Sequence, residues 1–94
     1  MYEILYVDAV VKIDLPSILE PWKDEIRQAI EHKLMTRPEV YSRTLRRTLE
    51  GYRKLRVDGY RIVLKIEGNT VKIFVIQHRS TVYVTAPDRL WAKH

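Results

Sequence analysis

Between residues 52 and 77 lie three short β-prone runs separated by two turn signals, the first two of them with a period of two. In the first run Leu55 and Val57 fall on one face and Lys54 and Arg56 on the other. Asp58-Gly59 follows, a two-residue hairpin signal suited to a type I′ turn. Tyr60, Ile62, Leu64 and Ile66 then alternate with Arg61, Val63 and Lys65, and Gly68-Asn69 marks the turn into a third run over residues 71–77. A period of two with turns this tight predicts consecutive antiparallel strands, a meander that any fold for this chain has to contain.

The N-terminal half reads differently. Residues 2–7 are aromatic and β-branched and predict a first strand. Residues 8–19 admit two readings: Asp8 caps a helix over Ala9, Val10, Val11 and Ile13, or Pro16 breaks it. Pro21 suits the first turn of a helix, where its missing N–H costs nothing. Trp22, Ile26, Ala29, Ile30, Lys33 and Leu34 then recur at spacings of three and four, with Asp24 and Glu25 in the first turn. A helix over 21–36 is predicted, closed by Pro38, with Trp22 buried on its apolar stripe. A short irregular or helical stretch leads on through Tyr41, Leu45 and Leu49 to Gly51.

Helices followed by consecutive strands give an α+β class. The 94 residues form one domain, 1–94, in which an N-terminal strand and two helices pack on an antiparallel sheet that ends in the C-terminal β-meander. One sheet face meets the helices. The other is expected to be concave and wet, with Lys54, Arg56 and Arg61 lining it.

Charge is the second constraint. Residues 43–61 hold seven basic side chains against two acidic ones, a surplus equal to the +5 of the whole chain. A cationic patch this concentrated inside folded structure is the footprint of a polyanion partner, most simply nucleic acid. Arg43, Arg46 and Arg47 contact RNA phosphates or form an exposed helical face; the sequence leaves both open. There is no cysteine, which excludes disulfides, thiolate metal sites and cysteine nucleophiles. The three histidines, His32, His78 and His94, are dispersed, so no metal site and no cofactor are expected. No apolar run reaches the roughly 18 residues of a membrane span, and the first residues lack a signal peptide's pattern, so a cytoplasmic protein off the membrane is expected.

The segment Leu49-Glu50-Gly51-Tyr52-Arg53-Lys54-Leu55-Arg56-Val57-Asp58-Gly59-Tyr60-Arg61-Ile62-Val63 resembles the central motif of RelE/ParE-type toxins of bacterial and archaeal toxin–antitoxin pairs, usually L-x-G-x-x-x-L-R-V-G-D-Y-R. Ile76-Gln77-His78-Arg79-Ser80-Thr81-Val82-Tyr83 is similar to the family's I-G-H-R-x-x-V-Y ending, and residues 10–16 and 29–34 fit its N-terminal half. Two departures stand out. The Gly-Asp hairpin is inverted to Asp58-Gly59, and Gln77 replaces the usual glycine, adding a side chain near the expected groove.

The resemblance implies a RelE-like microbial ribonuclease-type fold and, for the RelE-like branch, ribosome-dependent cleavage of mRNA. In that chemistry a ribose 2′-hydroxyl attacks the adjacent phosphate, so its proton must be taken, charge on phosphorus stabilised and the leaving 5′-oxygen protonated. By position, Lys54, Arg61, Arg79 and Tyr83 match the family's catalytic set. Lys54, crowded by Arg53, Arg56 and Arg61, is the candidate base. Arg61 would stabilise the phosphorane, since a guanidinium grips two oxygens. Arg79 would assist there or at the leaving group, and Tyr83 would stack on or orient the substrate. Arg43, Arg46, Arg47, Arg53 and Arg56 are the RNA- and ribosome-binding candidates. Tyr52 stands where some relatives carry lysine, and Arg53 could compensate only in a bulged or twisted strand.

Other residues have plainer readings. His78 acts as a general acid or packs at a strand end on a backbone group, and the second reading is preferred because Arg79, one residue on, faces the opposite way. His32 is expected in solvent and Tyr60 in the core, while Trp91 either closes the core or holds a partner. The resemblance further implies an acidic RelB-like antitoxin as partner, alongside the ribosome and mRNA. The alternatives are a ParE-like inhibitor that binds DNA gyrase without cutting RNA, and a catalytically inactive member of the family.

Overall fold

The computed structural model describes residues 1–91, apart from the side chains of Thr48 and Trp91; the readings of Trp91 and His94 lie outside the described residues. Five strands form one sheet: β1 (Glu3–Tyr6), β2 (Arg43–Thr44), β3 (Arg53–Val57), β4 (Tyr60–Glu67) and β5 (Thr70–His78), in the order β1-β5-β4-β3-β2. The meander is as the alternation dictates, with Val57 opposite Tyr60 across the first turn and Glu67 opposite Thr70 across the second.

The sheet is mixed rather than antiparallel throughout. β1 lies parallel to β5, Glu3 beside Thr70 and Tyr6 beside Ile73. The intervening helices supply the crossover that a parallel neighbour needs. After β1 the chain runs through a π-helical turn, Val10–Asp14, into the short α1 (Leu15–Ser17). The Leu15 N–H reaches back to the Val10 carbonyl, and this wider turn accommodates Pro16, which has no N–H for an α ladder. Helix α2 (Trp22–Ala29) continues as a second π-helical segment, Ile30–Leu34, and α3 (Pro38–Tyr41) leads into β2. Ile26, Ile30 and Leu34 pack with Val10 and Ile18 on Leu55, Ile62, Leu64, Ile73 and Ile76. Trp22 is not among them: it sits in the first turn, off the buried stripe, and is 38% exposed.

The other face is not wet. The segment after β5 forms α4 (Val82–Trp91), with Pro87 inside it, and Val82, Ala86 and Leu90 project onto Val63, Phe74 and Val75. Leu49, in the 3-10 turn Arg47–Leu49, joins this second core. Covering both faces explains why Ile73, Phe74, Val75 and Ile76 form a continuous apolar run rather than an alternating one. A β-bulge between Val63 and Leu64 lets Phe74 and Val75 both belong to the α4 side.

Asp14 ties the layers together. β1 ends opposite Ile73, so the edge of β5 beyond that point has no strand partner among the described residues. The Ile76 N–H instead donates to Asp14 Oδ2 (2.8 Å), and Gln77 Nε2 donates to Oδ1 (3.1 Å). From α4, Arg89 Nη1 donates to Asp14 Oδ2 (2.6 Å) and to the Phe74 carbonyl (3.2 Å).

The β3–β4 turn departs from type I′. Asp58 rather than Gly59 takes a left-handed φ, 55°. The lack of a Cβ at Gly59 answers a different need, since one built there would lie 3.0 Å from His78 Nε2. Asp58→Gly removes the conformational cost of a left-handed side-chain residue and is expected to stabilise the fold by about 0.5–1 kcal/mol, read from the denaturant midpoint.

Candidate functional site

Strand register decides which cations can act together. Lys54 lies opposite Arg43 on one side and Val63 on the other, and Arg56 lies opposite Arg61, so all four cations share the face that α4 covers in part. β2 is only two residues long and leaves the edge of β3 beyond Lys54 unpaired among the described residues. There a cleft of about 210 Å³ opens, lined by Lys33, Tyr41, Arg43, Lys54, Leu55 and Arg56. It gathers four cations and no carboxylate, and none of the four is in an ion pair among the described residues. Such a site attracts an anion at short range and steers one from further away.

Tyr83 faces the same lysine from the other side. It stands in the first turn of α4, 40% exposed, with Lys54 Nζ 5.9 Å from its ring centroid, within cation–π range. Across the cleft Lys33 Nζ lies 5.8 Å from the Tyr41 ring, which is 47% exposed. Lys54 is therefore flanked by one accessible aromatic ring on α4 and another at the end of α3.

Two predicted site arginines are engaged elsewhere. Arg61 was expected to line an open face, but it is 7% exposed, and its Nη1 donates to the carbonyls of Asp58 and Tyr60, both at 2.9 Å. It clamps its own hairpin. Arg53 caps α3, with Nε donating to Ser42 Oγ (2.6 Å) and Nη2 to the carbonyls of Glu39 (3.0 Å) and Ser42 (2.9 Å). Arg79 is exposed just beyond β5, its N–H donating to the Gly59 carbonyl (2.8 Å). Arg46 and Arg47 are exposed at the 3-10 turn rather than on a helical face, and Arg47 has a left-handed φ of 58°.

Neighbouring residues are accounted for by packing. Tyr52 meets Phe74 edge to face at 5.3 Å, with Lys65 Nζ 5.4 Å from its ring. The Gln77 amide is engaged by Asp14 and by Thr81 Oγ1, which donates to Gln77 Oε1 (3.0 Å). His78 packs against Tyr60 at 5.7 Å and accepts the Ser80 N–H on Nδ1 (3.2 Å), the packing role the sequence favoured. That bond leaves the Nε2 position for the proton of a neutral ring. Tyr60 packs against the first core and His32 is exposed.

A larger hollow of about 330 Å³ also holds Lys33 and Arg56, but beside Glu25 and Asp58, and two others lack the cations of residues 43–61. One, about 360 Å³, is lined by Tyr6, Leu15, Ile26 and Ile30; burial there pushes the Tyr6 phenol up, with the Glu31 charge adding to it. The other, about 410 Å³, lies by Ser17, Tyr60, His78 and Thr85 at the end of β5. Charge rather than volume singles out the smaller cleft. Lys33 and Tyr41 were not picked out from sequence, because helical spacing reads Lys33 as part of a helix face and nothing local links it to a tyrosine eight residues on.

A family model described as the ParE toxin of the type II toxin–antitoxin system parDE matches residues 16–83. No curated protein matches the chain in sequence. Among solved structures, the RelBE2 toxin–antitoxin complex of Mycobacterium tuberculosis contains a chain with TM-score 0.77 and 24% identity, covering 83% of this chain and 98% of that one. A conserved hypothetical protein of Helicobacter pylori gives 0.63 at 12% identity over 85% and 97%. YafQ of Escherichia coli gives 0.57 at 13% over 88% and 99%. At these identities the likeness is one of fold, and it extends over nearly the whole of each chain. Among the described residues no helix is long and apolar enough to cross a membrane.

Proposed function

Since the chain belongs to the ParE toxin family of type II toxin–antitoxin systems, we propose that it is a toxin that cleaves mRNA on the ribosome. The observation that carries this reading is Lys54, set between the Tyr83 ring and a cationic cleft without a carboxylate. RNA supplies the polyanion, the stacking bases and the 2′-hydroxyl that such a site can use. In this reading a base stacks on Tyr83 and Lys54 takes the 2′-hydroxyl proton as that oxygen attacks phosphorus. The bond from phosphorus to the 5′-oxygen breaks, leaving a cyclic phosphate, and the proton returns from Lys54 through water to the 5′-oxygen. Arg56, exposed on the same face, takes the role of holding the phosphorane oxygens that sequence gave to Arg61. Arg79 lends charge at the leaving oxygen, and Arg61 acts as a positioning residue through its hairpin.

A ParE-like reading, in which the chain inhibits DNA gyrase by binding it, is favoured by the family model and by Arg61 bonding, among the described residues, to carbonyls of its own turn. Primer extension on a reporter mRNA in a reconstituted translation system, with and without ribosomes, separates the two. Cuts that require ribosomes support cleavage. Intact mRNA together with loss of gyrase supercoiling activity replaces it with the second reading.

We also propose an acidic, partly disordered antitoxin as partner, supported by the family's type II system and by the charge surplus of residues 43–61. Arg46→Glu with Arg47→Glu reverses two exposed charges of that surplus. It is expected to slow association with such an antitoxin about tenfold and to flatten its salt dependence, as read by stopped-flow or surface kinetics. Unchanged association would remove these arginines from the interface.

A further inference from the structure

Lys33 and Tyr41 have no part in the chemistry above, yet they complete the wall of the cleft opposite Lys54. Building on the RNA-cleavage reading, we propose that this cleft is a second nucleotide subsite, and that a single RNA strand crosses the edge of the sheet from α4 to α2. On this path one base lies on Tyr83 and the phosphate beside it lies on Lys54. The next phosphate sits between Lys33 and Arg43, and the following base stacks on Tyr41.

Three observations converge on this path. Lys54 contributes to both halves, being 5.9 Å from the Tyr83 ring and also part of the cleft wall. The cleft, about 210 Å³, is small against the roughly 300–1,000 Å³ of a pocket that engulfs a whole ligand, which suits one phosphodiester group with the flanking bases outside. Tyr41 is 47% exposed and Tyr83 40%, so both side chains are reached by solvent beside the lysine that each ring meets. Alternating cations and aromatic rings is how a single strand is held independently of its sequence. The subsite would therefore set which stretch of the strand reaches Lys54, without reading which bases it carries.

Fluorescence anisotropy with a labelled 2′-O-methyl oligouridylate, which 2′-hydroxyl attack cannot cut, tests the path directly. Lys33→Gln is expected to weaken binding about tenfold and to reduce the slope of log K against log salt by about 0.7, the value for one lost phosphate contact on a single strand. Tyr41→Ala is expected to weaken binding by about tenfold with the slope unchanged, as for a lost stacking contact. Both variants should melt as the parent does. If both bind like the parent while Lys54→Gln binds more weakly, the subsite is wrong and the cleavage reading stands. If the variants lose binding as expected but reporter mRNA stays whole on ribosomes, the cleavage reading falls and the subsite stands. Oligoglutamate binding that drops in Lys33→Gln with RNA binding intact would assign the cleft to a protein partner and overturn the proposal.

Discussion

Asp14→Ala is expected to lower stability by about 3–5 kcal/mol, the cost of removing one partner from a buried ion pair. The Asp14 side chain is fully enclosed and the Arg89 side chain is 13% exposed, so the guanidinium left behind has little water to replace the carboxylate. The Ile76 amide and the Gln77 side chain lose their acceptor in the same step. In a chain this short each kcal/mol moves Tm by about 4–8 °C, which puts the fall at about 12 °C or more. Against a total of about 5–15 kcal/mol the variant stands close to unfolding at 37 °C. Arg89→Met in the same background removes the stranded charge and should recover part of the loss. Thermal melts of the two single variants and the double variant measure this coupling, and simple additivity would show that the pair does not act as a unit.

Lys54→Ala is expected to leave the melt nearly unchanged while the rate of mRNA cleavage drops by about 10²–10⁴, the range for a lost general base. Arg61→Ala should behave the other way round. It strips two carbonyls of the β3–β4 turn of their donor, at a cost of about 2–3 kcal/mol, and its activity loss should follow the melt. Single-turnover cleavage measured well below both melting temperatures distinguishes them. A Lys54→Ala protein that cuts at the parent rate would remove Lys54 from the chemistry, and an Arg61→Ala protein that is stable but inactive would return Arg61 to it.

These contrasts mark what was legible in the sequence. The meander was, because alternation and turn residues are local signals. So was the helix over residues 21–36, whose stripe Ile26, Ile30 and Leu34 became the first core. Alternation also gave the face of Arg61 correctly, but not its burial. The side chain folds back onto the carbonyls of its own hairpin, on the face where α4, a helix masked by Pro87, packs against Val63. Arg53 was hidden in the same way, since its partners lie on α3, eleven and fourteen residues upstream. The pair of Asp14 and Arg89 is 75 residues apart, beyond the reach of any periodicity. Of the candidate site, Lys54, Arg43 and Arg56 line one cleft and Tyr83 meets Lys54 from its other side, whereas Lys33 and Tyr41 enter only through tertiary packing.

The place of β1 beside β5 has a consequence for synthesis. The first strand has no neighbour until the last has been made, and Asp14 has no amide or guanidinium to hold until Ile76 and Arg89 exist. The sheet therefore cannot close before β5 and α4 have been made, and the docking of β1 onto β5 is a long-range event of the slow kind.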